Sequence, residues 1–383
     1  MPWHPDMARI IKAVEAAPSI FNQRPWDVQL SDDQDRVELY ADPGRAVGKF
    51  LPREVAISCG AALYNLRLTI RVAGRTPSVW LLPGLDGESA LLDHLESGRV
   101  LLASIEVMPG RAAPPRSADQ ELYEAMWLRH TNREPYRLLP VPVPILVEME
   151  GAAFAERGSL RVLHPRECRQ ILREAARADH TLAGDSPADS GLTPPPPGER
   201  MLQEFRTARG ELNQVPRGKY GPRPADEEEP PIRRDFWLPN RTAPFEKHPQ
   251  LMALSTDDDR PLDWLRAGQA LQRALLTATR FSMSTPNGRS RRYRVSLAYG
   301  NWGPSRSRLL VPAGYGVTAS FLSQSLELAD LTDLPRRWPW HWYYPEVPQL
   351  VLRVGFAPME RVEPPWCPPE VTEPRPVPLG EVG

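Results

Sequence analysis

The sequence predicts an α+β fold in which two similar halves share one core. Three observations support this prediction: strand-like segments come in pairs, long helical segments separate the pairs, and two of these helices carry the same residues at matching positions. The chain has 383 residues, more than the roughly 150 of an average domain. Hydrophobic residues make up 41% of it, which is enough for a sizeable core.

The charge and cysteine content of the chain indicate which binding partners and which cellular compartment to expect. The formal net charge is −1, so the chain has no overall basic surface for nucleic acid. Its three cysteines, Cys59, Cys168 and Cys367, are far apart and odd in number, which is typical of a reducing compartment. No apolar run reaches the ~20 residues of a membrane helix, and the N-terminus has neither a basic start nor an apolar stretch. We expect a cytoplasmic protein that binds neither nucleic acid nor membranes.

The first half contains two predicted strand pairs separated by a long helix. Apolar and polar residues alternate in Trp26–Leu30 and in Arg36–Ala41, which flank a polar turn and predict a hairpin. Arg53–Val72 has apolar residues at helical spacing. The segments 78–83 and 100–107 are rich in apolar residues and predict two further strands.

The second half contains a similar mixture of predicted elements. Helical patterns cover Leu122–Arg129, Glu167–Asp179 and Asp263–Arg280, and Ser159–Pro165 predicts a strand. Pro348–Phe356 is almost continuously apolar. Because such a strand is typically covered on both faces, we expect it in the interior of a sheet.

Two of the predicted helices match in residue pattern. The segments CGAALYNLRLT (59–69) and AGQALQRALLT (267–277) share five residues at equivalent positions. A chance match between two Ala- and Leu-rich helices is one explanation. The other is a duplicated unit whose central helices pack together, since glycine at the same place in each allows close approach. The chain is then a single-chain pseudo-dimer of two tandem half-repeats, 1–115 and 116–383. The matching pairs are Gly60/Gly268, Ala62/Ala270, Leu63/Leu271, Leu68/Leu276 and Thr69/Thr277.

Two segments differ in composition from the rest of the chain. Many of the 45 prolines lie in 184–250, where they remove backbone donors and predict an extended or partly mobile segment. The stretch 281–316 is rich in Gly, Ser and Arg and follows the helix Asp263–Arg280 directly. It predicts either a poorly ordered surface insertion or an anion-binding loop.

Two short polar segments carry the candidate site. In the first, Pro18 and Pro25 flank Ser19 and Asn22, which fixes these side chains with little freedom to lose on binding a ligand. A cap or turn role is the alternative for Ser19. The second segment, Leu128–Tyr136, has two arginines, a histidine and a threonine within five residues. Guanidinium groups and a hydroxyl suit a phosphate, and a basic surface turn is the alternative.

These segments resemble the motifs of the FMN-dependent nitroreductase superfamily. Pro18–Trp26 is similar to Pro-Ser-x-x-Asn-x-Gln-Pro-Trp, and Arg129–Tyr136 to Arg-Arg/His-Ser/Thr-x-Arg/Lys-x-Phe/Tyr with one extra residue before the aromatic. Further blocks, in the same order, resemble the Acg-like branch, which is a fused form. In dimeric nitroreductases the two motifs come from different subunits, whereas here one lies in each half. The resemblance implies FMN contacts from Pro18, Ser19, Asn22, Arg129, His130, Thr131, Arg133, Ser320, Phe321, Gln324 and Arg375.

Some positions depart from the pattern of this family. Phe21 stands where Acg-like proteins usually carry His, and Arg24 where they carry Gln. Arg24 would favour anionic reduced flavin if its guanidinium points inward; the alternative is that it points to water. Arg375 resembles a C-terminal basic residue that reaches the phosphate, and a solvated charge in the tail is the alternative.

The resemblance implies a flavin-dependent oxidoreductase that moves electrons from NAD(P)H to an electron-poor acceptor. The flavin carries the chemistry, so no catalytic side chain is assigned. An FMN-storage protein in which 184–250 forms a lid over the flavin is the alternative, and a relative that has lost flavin is a third possibility. The histidines show no metal-binding spacing. We expect a metal-free chain that is monomeric because it is an internal pseudo-dimer.

Overall fold

A computed structural model describes most of the predicted elements, and all described residues belong to one compact unit of the chain. The prediction of a mixed α/β chain is confirmed, because helices and antiparallel sheets occur in both halves. The described residues are 6–19, 23–31, 36–42, 52–84, 91, 98–107, 114–129, 131, 136, 139–165, 167–168, 250–281 and 346–356, with the backbones of 292–296, 306–310, 315–321 and 357–358.

The described chain begins with one sheet and three helices, and the last of these helices lies in the second half. In chain order these elements are α1 (Met7–Glu15), β1 (Trp26–Leu30), β2 (Arg36–Ala41), α2 (Pro52–Val72), β3 (Pro77–Leu81), β4 (Val100–Val107) and α3 (Ser117–Leu128). The sheet is antiparallel, with strand order β1-β2-β4-β3. The predicted hairpin is confirmed, with Trp26 opposite Ala41 and Leu30 opposite Val37.

Helix α1 leads into the first polar segment, and both its ends have a local cause. It begins at an N-cap, since the carboxylate of Asp6 accepts a hydrogen bond from the backbone N–H of Arg9 at 3.1 Å. It ends shortly before Pro18, which has no N–H to continue the helix. Ile10 and Val14 lie on its buried face and pack into the core of the first half.

The rest of the second half contains two further helices, a second four-stranded sheet and a separate hairpin. In chain order these elements are α4 (Val143–Phe154), β5 (Ser159–Val162), β6 (Gln250–Thr256), α5 (Pro261–Arg280), β7 (Arg292–Ser296), β8 (Arg306–Leu310), β9 (Tyr315–Phe321) and β10 (Val347–Pro358). The sheet has the order β5-β6-β10-β9 and is antiparallel. The prediction for Pro348–Phe356 is confirmed: β10 lies inside the sheet, and consecutive residues from Leu350 are buried.

Both sheets have the same connectivity. In each half a strand pair leads into a long helix, the helix leads to two further strands, and the order in the sheet is first, second, fourth, third. The strands and helix β1, β2, α2, β3 and β4 therefore correspond to β5, β6, α5, β9 and β10. The connection after the long helix differs, because 73–76 separate α2 from β3 whereas β7 and β8 lie between α5 and β9.

The expectation of poor order throughout 281–316 is wrong for three stretches of that segment, the last of which is the start of β9 at Tyr315. Arg292–Ser296 and Arg306–Leu310 form an antiparallel hairpin in which Arg294 is opposite Arg308. Its first strand, RYRVS, alternates arginine with Tyr and Val, which have high β propensity. The abundance of Gly, Ser and Arg in the whole segment hides this alternation. The predicted helix Glu167–Asp179 lies outside the described residues beyond Cys168.

The central helices α2 and α5 cross at the two matching glycines. A Cβ atom built on Gly268 would lie 2.8 Å from the Cα of Gly60 and would overlap the carbonyl oxygen of Ile57. A Cβ atom built on Gly60 would lie 3.0 Å from the Cα of Gly268. The close approach expected from the matching glycines is observed, because a side chain at either position would separate the two backbones.

Buried polar side chains also join the two halves. The carboxylate of Glu156, which follows α4, accepts hydrogen bonds from Arg67 of α2 at 2.6 Å and from Arg273 of α5 at 2.8 Å. Gln272 of α5 donates to the side-chain oxygen of Asn65 of α2 at 2.7 Å. Glu156 is only 7% exposed, so this carboxylate compensates two guanidinium groups in a region with little solvent.

Candidate functional site

The predicted site residues fall into three groups. Side chains are described for Pro18, Ser19, Arg129 and Thr131, and backbones alone for Ser320 and Phe321. The remaining predicted site residues lie outside the described part of the chain, as does the proposed lid 184–250 except for Gln250; these residues are Asn22, His130, Arg133, Gln324 and Arg375.

The basic motif begins close to the end of α1, just before the Pro-Ser segment. Helix α3 ends at Leu128, and the backbone N–H of Arg129 donates to the carbonyl of Ala125 at 2.9 Å. The side chain of Arg129 then reaches α1, where Nη2 lies 3.5 Å from the carbonyl oxygen of Ala16. Ala16 precedes Pro18 by two residues. The start of the basic motif therefore lies beside the start of the Pro-Ser segment, although 113 residues separate them.

Packing of α3 against α1 and α2 places Arg129 at this position. Leu122 and Met126 of α3 are buried in one cluster with Ala13 of α1 and with apolar residues of α2. On the outer side of this contact, Nε of Arg9 donates to the hydroxyl of Tyr123 at 2.9 Å. The end of α3 is thus fixed beside the end of α1 by both apolar and polar contacts.

Arg129 is a buried cation. Arg129 is 9% exposed, and its Nε has no hydrogen-bond partner among the described residues. Burial lowers the pKa of Arg129 to about 10, so the guanidinium still carries its charge at neutral pH. Nη2 has the Ala16 carbonyl, and no described Asp or Glu forms an ion pair with this guanidinium. A buried charge without a counter-ion is costly, so this group is suited to receive an anion.

Ser19 closes the loop between α1 and β1. Its Oγ accepts a hydrogen bond from the backbone N–H of Arg24 at 3.0 Å. The guanidinium of Arg24 contacts the carboxylate of Glu15, the last residue of α1, at 2.7 Å. Ser19 therefore has the turn role that was its alternative, and its hydroxyl proton can still be donated. Arg24 is directed at the end of α1.

The basic motif ends on the second sheet. Tyr136 is 5% exposed and packs against Gly355 of β10, where a Cβ atom would lie 2.8 Å from the Cβ of Tyr136. The guanidinium carbon of Arg353 lies 3.9 Å from the centroid of the Tyr136 ring. Arg353 is also the register partner of Ser320, across β10 and β9. The aromatic end of the motif and the strand of Ser320 thus meet at Arg353.

Three residues near the motifs were not predicted from the sequence. Cys59 donates its thiol hydrogen to the carbonyl of Pro25 at 3.3 Å, Glu15 contacts Arg24, and Arg353 stacks on Tyr136. Arg353 alone had a sequence signal, as the one charge in the strand PQLVLRVGF. Glu15 had none, because its partner follows nine residues later, in a loop and not on the same helix face.

The described residues fit an organic phosphate better than a metal ion. The buried guanidinium of Arg129, whose Nε–H has no partner among the described residues, and the hydroxyl of Thr131 two residues later are donors of the kind that bind phosphate oxygens. Within the described ranges, no three His, Cys, Asp or Glu side chains are grouped to hold a metal ion. None of the helices in those ranges is long and apolar enough to span a bilayer.

Comparison with solved structures gives only weak similarity. A chain from Anabaena variabilis described as a "putative nitroreductase" aligns over 89% of this chain and 82% of its own length, with 11% identity and a TM-score of 0.29. A "Putative NADH Oxidase" from Clostridium acetobutylicum aligns over 30% of this chain and 82% of its own length, with 15% identity and a TM-score of 0.24. At these TM-scores neither alignment carries an argument about fold or function.

Sequence comparison gives a more extensive similarity. No protein-family model matches the chain. Two proteins from different strains of Mycobacterium tuberculosis, each named "Putative NAD(P)H nitroreductase", are 27% identical to it over 356 residues. The aligned region covers 90% of this chain and 83% of each relative. The similarity to these two proteins therefore extends along nine-tenths of the sequence.

Proposed function

We propose that the protein is an FMN-binding, nitroreductase-like oxidoreductase of the Acg-like branch. It takes reducing equivalents from NAD(P)H and transfers them to an electron-poor acceptor such as a nitroaromatic compound or a quinone. When bound, FMN supplies the hydride-accepting centre of this reaction. The protein binds and orients the reactants, so no catalytic acid, base or nucleophile is assigned to it. The extended similarity to proteins named as NAD(P)H nitroreductases supports this proposal.

The observation that carries the proposal is the position of Arg129. This buried guanidinium has a free Nε–H and lies 3.5 Å from the Ala16 carbonyl, next to the Pro-Ser segment of the other half. A surface turn, the alternative for the basic motif, would leave the group in water. Burial with no carboxylate partner in the described part of the chain is instead the arrangement expected of a phosphate site, where the ligand provides the negative charge.

The proposed roles of the site residues follow the two motifs. The basic motif and Arg375 hold the phosphate of FMN, and the Pro-Ser segment contacts its ribityl chain or ring edge. The strand β9 and the residues after it lie along the ring. The phosphate group is assigned to Arg129, His130, Thr131, Arg133 and Arg375, the ribityl or ring edge to Pro18, Ser19 and Asn22, and the ring to Ser320, Phe321 and Gln324.

We also propose that the chain is an internal pseudo-dimer, with half-repeats 1–115 and 116–383 and an insertion at 281–316. The shared strand order of the two sheets and the glycine crossing of α2 and α5 support it. A monomer then binds one flavin. Ten residues (16–25) connect α1 to β1, whereas four (155–158) connect α4 to β5, which leaves no room for a second Pro-Ser segment.

Anaerobic mixing of the purified protein with NADH or NADPH tests the proposed reaction. The protein should be yellow, and absorbance of the oxidised flavin should be lost promptly on mixing with one of the two nucleotides. A second addition of an electron-poor acceptor should restore it. A bound flavin that stays oxidised would contradict the oxidoreductase and favour FMN storage under the segment 184–250. Protein that binds no flavin would contradict both functions.

A further inference from the structure

The loop between α1 and β1 is fixed at one residue, Arg24. Its φ of +52° lies in the left-handed region, which is unfavourable for a residue with a Cβ atom. Glycine avoids this cost, yet the chain has arginine here. A conformation of this kind persists only where neighbouring contacts determine it.

Several contacts determine the conformation of Arg24. Its backbone N–H donates to Oγ of Ser19 at 3.0 Å, and its carbonyl accepts from the N–H of Trp26 at 2.8 Å. Its guanidinium lies 2.7 Å from the carboxylate of Glu15. We call Glu15, Ser19 and Arg24 the loop clasp. Through Arg24, the clasp connects the side chain of Ser19 to the last residue of α1.

The residues next to the loop clasp are anchored to the core of the first half. The carbonyl of Pro25 accepts from the buried thiol of Cys59 at 3.3 Å and from the N–H of Asp42 at 3.0 Å. Trp26 is only 1% exposed. Since the chain after Arg24 is held by these contacts, a change in the backbone of Arg24 would alter its hydrogen bond to Ser19.

We propose that Arg24 is a positioning residue of the flavin site, acting through the loop clasp and not through its charge on the flavin ring. The inference rests on the proposed function, because it concerns Ser19, which is assigned to FMN. The clasp holds the side chain of Ser19 before the ligand arrives, so that less conformational entropy is lost on binding. The guanidinium of Arg24 pairs with Glu15 at the end of α1.

Two substitutions of Arg24 separate the side chain from the backbone conformation. Arg24→Gln removes the ion pair but keeps a Cβ atom, so the left-handed backbone loses its support. Arg24→Gly also removes the ion pair but tolerates the same φ. We expect Arg24→Gln to raise the Kd for FMN about tenfold and Arg24→Gly about threefold. Arg24→Lys, which retains the positive charge, should restore most of the affinity lost in Arg24→Gln.

The partner and control variants complete the experiment. Glu15→Gln should weaken FMN binding about as much as Arg24→Gln, and the double variant should be no worse than either, because both changes break one interaction. The ion pair of Arg99 with Asp27 of β1, at 2.8 Å, is the matched control. Arg99→Gln and Asp27→Asn should change FMN affinity by less than about twofold.

If Arg24 acts through the loop clasp, its substitution should leave the reduction potential of bound FMN unchanged. A cation at the flavin ring stabilises the anionic reduced form, so removing it would lower the potential. The inference is overturned if Arg24→Gln lowers the potential, if Arg24→Gly weakens binding as much as Arg24→Gln does, or if the effects of Glu15→Gln and Arg24→Gln add. If wild type binds FMN and all Arg24 variants bind it equally well, the role of the loop clasp is contradicted but the proposed function is not. If wild type binds no FMN, the proposed function is contradicted as well.

Discussion

The substitution Gly268→Ala tests whether the two halves are joined at the glycine crossing. A Cβ atom at this position would lie 2.8 Å from the Cα of Gly60, whereas ordinary contact begins at 3.4 Å. It would also overlap the carbonyl oxygen of Ile57, which belongs to the backbone of α2 and cannot rotate away. The helices α2 and α5 would have to separate by more than about half an ångström, in a core packed at crystal-like density.

Two opposing contributions set the size of the effect. Alanine is a better helix former than glycine by about 1 kcal/mol, which favours the variant. Overpacking of a rigid core costs about 1–3 kcal/mol and more where backbone is displaced. Because both helices are buried along most of their length, we expect the overpacking to dominate and the free energy of unfolding to fall by about 2–4 kcal/mol.

Urea denaturation of wild type and variant gives this difference directly. Gly151→Ala is the matched control, since Gly151 lies in α4 and a Cβ atom there meets nothing within 4 Å. That variant should be stabilised by up to about 1 kcal/mol through helix propensity. Gly268→Ala protein as stable as wild type would show that α2 and α5 do not approach closely at this point.

Three further changes test the site and the core. Gly355→Ala should displace the ring of Tyr136 and weaken FMN binding about tenfold in equilibrium titration, whereas unchanged affinity would show that the end of the basic motif does not depend on this contact. Glu156→Gln should lower the free energy of unfolding by about 3 kcal/mol, because two guanidinium groups lose their shared carboxylate; in contrast Asp258→Asn, in an exposed ion pair, should change it by less than about 0.5 kcal/mol in the same urea experiment. FMN affinity should be level from about pH 7 to 9 and fall above about pH 10, where Arg129 with its lowered pKa loses its proton. A level profile through that range would show that the charge of Arg129 does not contribute to FMN binding.

The elements with a clear period were predictable from the sequence. Alternation gave the hairpin of Trp26 and Ala41, and helical spacing placed the long helix Pro52–Val72 to within one residue. The matching glycines predicted a contact between helices more than 200 residues apart. In each case the physical cause is local or repeated, so that a short stretch of sequence contains it.

Two elements had no such pattern. In β6 the residues Leu251–Thr256 are all buried, and a short apolar run of this kind does not distinguish strand from helix. Helix α4 begins at Val143 in a proline-rich stretch and carries apolar residues on several sides, with Phe154 78% exposed. Without a polar face there is no amphipathic signal to find.

The candidate site was predictable only in part. Residue types identified Arg129, because two guanidinium groups and a hydroxyl within a few positions suit a phosphate. The roles of Arg24 and Arg353 could not be predicted, because each depends on how distant segments pack. Arg24 meets the end of α1, and Arg353 meets the ring of Tyr136. Such tertiary contacts are set by the path of the chain and leave no spacing in the sequence.

Equilibrium titration of the apoprotein with FMN and with riboflavin, which lacks the phosphate, is the most direct test of the shared site between the motifs. Wild type should prefer FMN, and Arg129→Gln should lower FMN affinity by about 10- to 100-fold, the value of a charge-assisted hydrogen bond, while riboflavin affinity stays the same. If Arg129→Gln weakens both ligands equally, or neither, then Arg129 does not bind the phosphate and the central claim is wrong.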